Sequence, residues 1–354
     1  TDPTQNSIVS QQEQQLLFLA RPEHHVVLNH KPPDDFISYL RGKIGNLPQM
    51  VHVNDLPPLN HALLIPYINS EEVLTWKAVH NRLEVFGSDV EISRKMNNKY
   101  VVRKMVEDAG LPVTLGHFCK SVDELVDVYD SLKRKYARCV IKLPYGSSGK
   151  GLFLIKSDAD FRRYVKYLEK RKSEFELLIE GWHPNQITIL GISHQRITNE
   201  GVYLGTSFTP ELHESAISKY IDKVTDISKM LQDMGYRGIA GFDSIIDEND
   251  QLIPAVEINA RFTQVTYLLP WVKLLQDQFP YIESRYVKLF SEREHSFTEI
   301  AEKCDQVIHG EYTIYTFAKE RNERGYVYKV FSMFYSNTLD QLNRMIDQFS
   351  GIAL

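Results

Sequence analysis

The stretch GFDSIIDENDQLIPAVEINAR, residues 241–261, constrains this chain more than any other. Two β-prone runs flank the turn-forming tetrad Asp247-Glu248-Asn249-Asp250, which predicts a hairpin of residues 241–246 against 252–259. Side chains alternate along a strand, so Glu257, Asn259 and Arg261 fall on one face. Asp243, on the partner strand, can reach the same surface. Two carboxylates, an amide oxygen and a guanidinium together suit Mg²⁺ held with nucleotide phosphates. The Arg adds a two-pronged grip on a phosphate or carboxylate. By itself the pattern is also compatible with a solvated edge strand.

A second feature is VIKLPYGSSGKG, residues 140–151. Lys142 projects from a strand end, and Gly146, Gly149 and Gly151 let backbone amides approach phosphate oxygens. Ser147, Ser148 and Lys150 complete the loop. A Walker A loop needs Gly-Lys followed by Ser or Thr and a helix, whereas Lys150 precedes Gly151 and a second strand, residues 152–155. A flexible hairpin turn with a solvated Lys remains an alternative. Lys99 opens a helix after Asn97-Asn98, and Glu180-Gly181-Trp182 ends a strand ahead of Pro184; a surface lysine and a turn explain these two separately.

The flanking chain reads as alternating strands and helices. Strands are predicted at 16–20, 50–53 and 62–66, and helices at 34–41 and 71–81, an order that favours a parallel sheet. No G-x-G-x-x-G follows the first strand, so a dinucleotide site lacks its phosphate turn. Val101, Val102, Met105, Val106 and Ala109 form one helical stripe, stopped by Gly110 and Pro112. Ser121 with Glu124 forms a capping box. Strands are also predicted at 176–180 and 187–192, a long helix at 214–234, strands at 311–317 and 326–334, and a final helix opened by Thr338.

Composition removes several classes. A formal charge of -5 with no basic block argues against nucleic acid as partner. No apolar run approaches the ~20 residues of a membrane helix, and the polar, Gln-rich start carries no signal-peptide pattern. Cys119, Cys139 and Cys304 are widely spaced and read as reduced thiols of a cytoplasmic protein. A homodimer is the commonest closed assembly for such a chain.

Taken in order, a Lys before a helix, a Lys- and Gly-bearing flap, an acidic hinge and a D…E-x-N-x-R hairpin resemble the ATP-grasp superfamily. That resemblance implies an ATP-grasp fold of the α/β (α+β) class with an N-terminal Rossmann-like pre-ATP-grasp domain. It implies domains at 1–96, 97–183 and 184–354, the second carrying the ATP flap and hinge. Lys99 and Lys142 would bind phosphate, Gly146 to Gly151 would close over ATP, and Glu180, Gly181 and Trp182 would meet the adenine. Asp243, Glu257 and Asn259 would hold Mg²⁺ or Mn²⁺, with Arg261 and Lys150 at the reacting group. Asp243 departs from relatives that carry Glu there.

The reaction so implied is ADP-forming: a carboxylate becomes an acyl phosphate, then meets an amine or thiol. Residues 85–99 and the strand-rich tail look similar to peptide and amino-acid ligases of secondary metabolism. These include the pheganomycin-type and the butirosin-type, the latter loading glutamate onto an acyl carrier protein. A kinase that stops at phosphorylation and a silent nucleotide-binding protein are the alternatives. His183, Arg196, Glu211 and His213 lie where a substrate could be met, although surface placement is the plainer reading of each.

Overall fold

The structure, a computed structural model, describes residues 8–56, 61–80, 82–136, 138–145, 152–169, 192–198, 203–209, 214–246 and 252–354. The flap at 146–151, the hinge at 180–182, the strands read at 176–180 and across nearly all of 187–192, and His183, Glu211 and His213 lie outside these residues.

Along the chain the helices are α1 (Leu16–Leu19), α2 (Asp34–Ile44), α3 (Glu71–Val79), α4 (Val90–Met96), α5 (Lys99–Asp108) and α6 (Val122–Leu132). They continue with α7 (Asp158–Glu169), α8 (Glu214–Asp233), α9 (Gln264–Gln276), α10 (Phe297–Val307) and α11 (Leu339–Ser350). The strands are β1 (His25–Leu28), β2 (Gln49–His52), β3 (Ala62–Leu64), β4 (Leu83–Val85), β5 (Cys139–Lys142) and β6 (Leu152–Ile155). After them come β7 (His194–Ile197), β8 (Tyr203–Ser207), β9 (Gly241–Ile246), β10 (Leu252–Asn259), β11 (Tyr281–Ser291), β12 (Glu311–Asn322) and β13 (Gly325–Ser336). No described helix is long and apolar enough to cross a membrane, and the three cysteines are free thiols.

Two compact units form, each from separate stretches of chain. The first comprises Thr1–Pro58, Leu190–Glu211 and Gln264–Leu354. Its centre is an antiparallel sheet in the order β12-β13-β11-β8-β7. Aromatic and β-branched residues fill it: Tyr315, Phe317, Tyr328, Phe331 and Phe334 are essentially inaccessible to solvent. Strands β1 and β2 pair in parallel beside it.

The strand predicted at 16–20 is instead the helix α1, entered through a 3₁₀ turn, Gln11–Gln15. A short apolar run does not distinguish strand from buried helix by itself. Phe18 decides it by packing at 4.8 Å between ring centroids against Trp271 of α9. The Gln-rich turn has a specific task. Gln14 accepts from the Phe317 amide and donates to the Phe317 carbonyl, both at 2.9 Å, and Gln11 does the same at Lys319. Carboxamides thus imitate a neighbouring strand along the open edge of β12, where unpaired backbone would otherwise invite aggregation.

The second unit comprises Leu59–Ile189 and Leu212–Thr263. Parallel β3 and β4 open it; β3 falls within the predicted strand at 62–66, whereas β4 was not anticipated. The β9–β10 hairpin has its predicted bounds and packs against α4, α5 and α8 through Ile92, Met96, Val102, Val106, Ile227, Leu231 and Ile258. The β5–β6 hairpin packs on α6 and α7 through Tyr129, Ile155, Phe161 and Tyr164, with the Tyr129 and Phe161 rings stacked at 3.8 Å. Ser121 caps α6 by accepting from the Glu124 amide, but Glu124 returns its bond to the amide of Lys120, one residue earlier than a capping box requires.

Gly205 of β8 tests the packing of the first unit. A Cβ there would lie 2.0 Å from the Ser284 carbonyl oxygen and 2.8 Å from Cδ of Arg285. Gly205→Ala is therefore expected to destabilise the fold by about 1–3 kcal/mol through overpacking, read as a lower midpoint in thermal unfolding. An unchanged midpoint would show that β8 and β11 are not so closely apposed.

Candidate functional site

The β9–β10 hairpin sets the geometry of the candidate site, which lies within the second unit. Glu257 is register-paired with Asp243, and Asn259 with Gly241. The register shifts between Ile253 and Glu257. Pro254, which has no amide to donate, lies in that shift, and its carbonyl accepts from Ser244 Oγ at 2.6 Å. The result places two carboxylates directly opposite one another. Asn259 Nδ2 donates to Asp243 Oδ2 at 3.1 Å, and Arg261 Nη1 donates to Asn259 Oδ1. Arg261 lies just beyond the strand, with its guanidinium 5.8 Å from the Tyr67 ring centroid.

Helix α5 brings the first lysine. Asn98 caps it by accepting from the amides of Tyr100 and Val101, which fixes Lys99 as its first residue. The Asn97 side chain ties the same turn to the Ala260 carbonyl at 3.0 Å. Lys99 Nζ then meets Glu257 Oε1 at 2.8 Å, with side chains only 9% and 19% exposed. The pair is sheltered enough for its Coulomb energy to exceed that of a surface ion pair.

The second lysine arrives through a staple between α5 and β5. The Lys99 amide donates to the Pro144 carbonyl at 2.9 Å, and Tyr100 Oη donates to the Lys142 carbonyl at 3.4 Å. Lys142 Nζ reaches the Val256 carbonyl at 3.3 Å. Burial lowers its pKa, opposed by Glu257 and assisted by neighbouring Lys99.

Asp243 responds oppositely. Burial, followed by the facing Glu257, raises its pKa, while Asn259 and Arg261 act against the rise. Like charges opposite one another on paired strands repel, so this carboxylate pair gains from any cation added to it. Two carboxylates and an amide make a sparse ligand set. Among the described residues no group of three or more His, Cys, Asp or Glu gathers. Mg²⁺ fits such a set, because it keeps waters and shares its shell with phosphate oxygens. Asn259 presents Nδ2 to Asp243, so ligating a cation would require its amide to turn about.

Sequence patterning therefore led to Asp243, Glu257, Asn259, Arg261, Lys99 and Lys142, which lie together in one unit. Gly146, Ser147, Ser148, Gly149, Lys150, Gly151, Glu180, Gly181 and Trp182 lie outside the described residues. Arg196 is elsewhere, on β7, bonded to Glu283. Tyr67 and the Val256 carbonyl were not legible beforehand. The first carries no local motif, and the second is a backbone group whose exposure depends on the strand shift.

The chain is similar to known proteins. Residues 96–265 match the family described as the ATP-grasp domain. The [butirosin acyl-carrier protein]–L-glutamate ligase of Niallia circulans is 34% identical over 361 residues, covering 96% of this chain and 86% of that protein. The ADP complex of an N5-carboxyaminoimidazole ribonucleotide synthetase superposes with a TM-score of 0.62 at 11% identity, covering 96% and 93% of the two chains. An L-amino acid ligase from Bacillus licheniformis superposes at 0.51 and 11% identity, covering 78% and 75%. These two structural likenesses establish the fold.

Asp243 provides a test independent of catalysis. An acid whose pKa is higher folded than unfolded favours the fold below the ordinary carboxylate range, and that contribution is lost as pH rises through the folded value. Asp243→Asn removes the charge while an amide oxygen can still accept from Asn259. Its melting temperature without nucleotide is expected to equal or exceed the wild type at pH 7.5, the margin shrinking toward pH 4. A variant that melts lower at pH 7.5 would show that ionised Asp243 stabilises the unliganded fold.

Proposed function

This chain belongs to the ATP-grasp family and is a ligase of that family; from that premise we propose that Asp243, Glu257, Asn259, Lys99, Lys142 and Arg261 form its ATP- and Mg²⁺-dependent reaction centre. The observation that carries the reading is the facing pair Asp243–Glu257, flanked by a bonded amide and two sheltered lysines. Asp243, Glu257 and Asn259 would hold Mg²⁺. Bound there, the ion would neutralise the phosphate oxygens and align them for transfer.

The lysines supply positive charge to the same phosphates, Lys142 from the end of β5 and Lys99 from the start of α5. Lys99 has to release Glu257 when that carboxylate turns to a metal, so the ammonium pairs with Glu257 in the unliganded protein and with phosphate in the liganded one. Arg261, oriented by Asn259 and the Tyr67 ring, would hold the activated carboxyl group. The sequence-read flap at 146–151 would cover the nucleotide and residues 180–182 would meet the adenine. No protein nucleophile is needed, because the acid itself accepts the phosphoryl group. Positioning and charge neutralisation are what these side chains provide.

The acyl substrate is proposed to be an amino acid, glutamate in the first instance, and the acceptor an amine or a carrier-protein thiol. Similarity over nearly the whole length to a glutamate–acyl-carrier-protein ligase supports both choices.

Incubation with ATP, Mg²⁺, L-glutamate and hydroxylamine is expected to release ADP and form a hydroxamate. ADP with a stable phosphorylated product would instead indicate a kinase. Glu257→Gln and Asp243→Asn should each lower turnover by at least about 10²-fold, as expected for groups that organise charge at the reacting centre. Full activity in both would overturn the site. Lys142→Ala should weaken ATP binding about 10- to 100-fold, the range for a lost bond to a charged group. Calorimetry with ATP reads this directly.

A further inference from the structure

A loop without any sequence motif reaches the candidate reaction centre. Residues 65–70 join β3 to α3, and hydrogen bonds fix this loop at two points. The amide of Phe262, next to Arg261, donates to the Tyr67 carbonyl at 3.1 Å. Asn69 Nδ2 donates to the carbonyls of Phe86 and Ser88, and the Ser88 amide donates to the Arg237 carbonyl at 2.9 Å, ahead of β9 in the chain. Gly87 permits the turn at 86–88: its φ is 98°, and a Cβ there would lie 3.0 Å from Asn69 Nδ2. Loops anchored to a scaffold in this way commonly present the side chains that meet ligands.

Tyr67 is the side chain so presented. Its backbone is held, yet the residue is 48% exposed, and its hydroxyl bonds nothing among the described residues. The ring centroid lies 5.8 Å from the Arg261 guanidinium, within the range of a cation–π contact. Asn259 Oδ1 accepts from Nη1 of the same guanidinium, so one hydrogen bond and one ring hold it. The charge of Arg261 also reaches Tyr236, but that phenol is buried and donates to the Ile239 carbonyl. Tyr67 therefore brings the uncommitted hydroxyl to Arg261. A tyrosine offers an apolar face and a polar tip together, which suits a ligand that has both.

We propose that Tyr67 determines which acid the reaction centre accepts. Its ring seats Arg261 against the carboxyl group to be activated, and its hydroxyl donates to an acceptor farther along the same acid. The inference rests on Arg261 holding the acyl substrate. It deepens that reading by naming the class: acids with a second hydrogen-bond acceptor beyond the carboxyl that reacts.

Hydroxamate kinetics of the full chain with L-glutamate separate the two contributions. Tyr67→Phe keeps the ring, and is expected to raise KM for the acid about three- to tenfold, as for one lost hydrogen bond, at unchanged KM for ATP. Tyr67→Leu loses ring and hydroxyl, and should lower kcat/KM for the acid at least about thirtyfold, again at unchanged KM for ATP. A second readout needs no turnover. Phenylglyoxal modifies accessible arginines, and peptide mass spectrometry follows Arg261. That residue should react at least about threefold faster in Tyr67→Leu than in wild type or Tyr67→Phe, because the ring no longer holds it. A merely structural tyrosine would shift KM for ATP and for the acid together. Unchanged KM for the acid in both variants, or equal Arg261 modification in all three proteins, would overturn the proposal. If wild type forms no hydroxamate, the ligase reading fails, and the Arg261 rate still decides whether Tyr67 seats that arginine.

Discussion

The repulsion between Asp243 and Glu257 is the constraint on which the site's organisation depends. Antiparallel pairing sets the two carboxylates opposite one another, and burial raises the pKa of Asp243. Every neighbouring feature answers that charge. Lys99 pairs with Glu257, Lys142 stands over the adjacent carbonyl, and Asn259 bonds Asp243 while itself being bonded by Arg261. Helix α5 is held at its first turn by Asn97, Asn98 and Tyr100, so the ammonium groups are delivered by backbone geometry rather than by long flexible reach. Under the proposed function, a site organised in this way would hold unfavourable electrostatics in the unliganded protein and relieve them when a cation and phosphates bind. Stability given up locally is the usual accompaniment of a functional centre.

The first unit solves a different problem. Its antiparallel sheet is buried on both faces by aromatic rings, and its outer strand β12 needs protection. Gln11 and Gln14 provide it with side-chain amides in place of a strand. A stretch that looks compositionally simple is thus structural. The same sheet buries the Glu283 carboxylate between the Arg196 and Arg285 guanidiniums.

How much could be read in advance follows from the range of the interactions involved. The hairpin at 241–246 and 252–259 was legible because alternation and turn chemistry are local. Helix starts at Lys99 and Leu339 were legible for the same reason, being marked by Asn98 and Thr338. Strand alternation likewise put Glu257, Asn259 and Arg261 on one face within reach of Asp243, while the direct pairing of Asp243 with Glu257 was decided by the register. Residues 16–20 misled because an unbroken run of apolar side chains carries no period, and only contact with Trp271 settles their conformation. Arg285 and Ser332 carried no signal, since nothing in ESR or FSM marks them until β11 and β13 are aligned.

The sequence by itself determined the hairpin with its acids, because that depends on residue types at short spacing, and it pointed to the family through the order of its signals along the chain; that resemblance, not spacing, singled out the two lysines. Tertiary structure alone decided that Lys99 pairs with Glu257 and that Lys142 meets Val256. It also decided that distant segments gather into each compact unit and that Arg196 and Arg285 converge on Glu283. Lys99 and Glu257 are 158 positions apart and Arg196 and Glu283 are 87 apart, whereas Arg285 shares the strand of Glu283 and meets Arg196 only through the pairing of β7, β8 and β11. Register and chain return are set by the packing of whole elements, which no local pattern encodes.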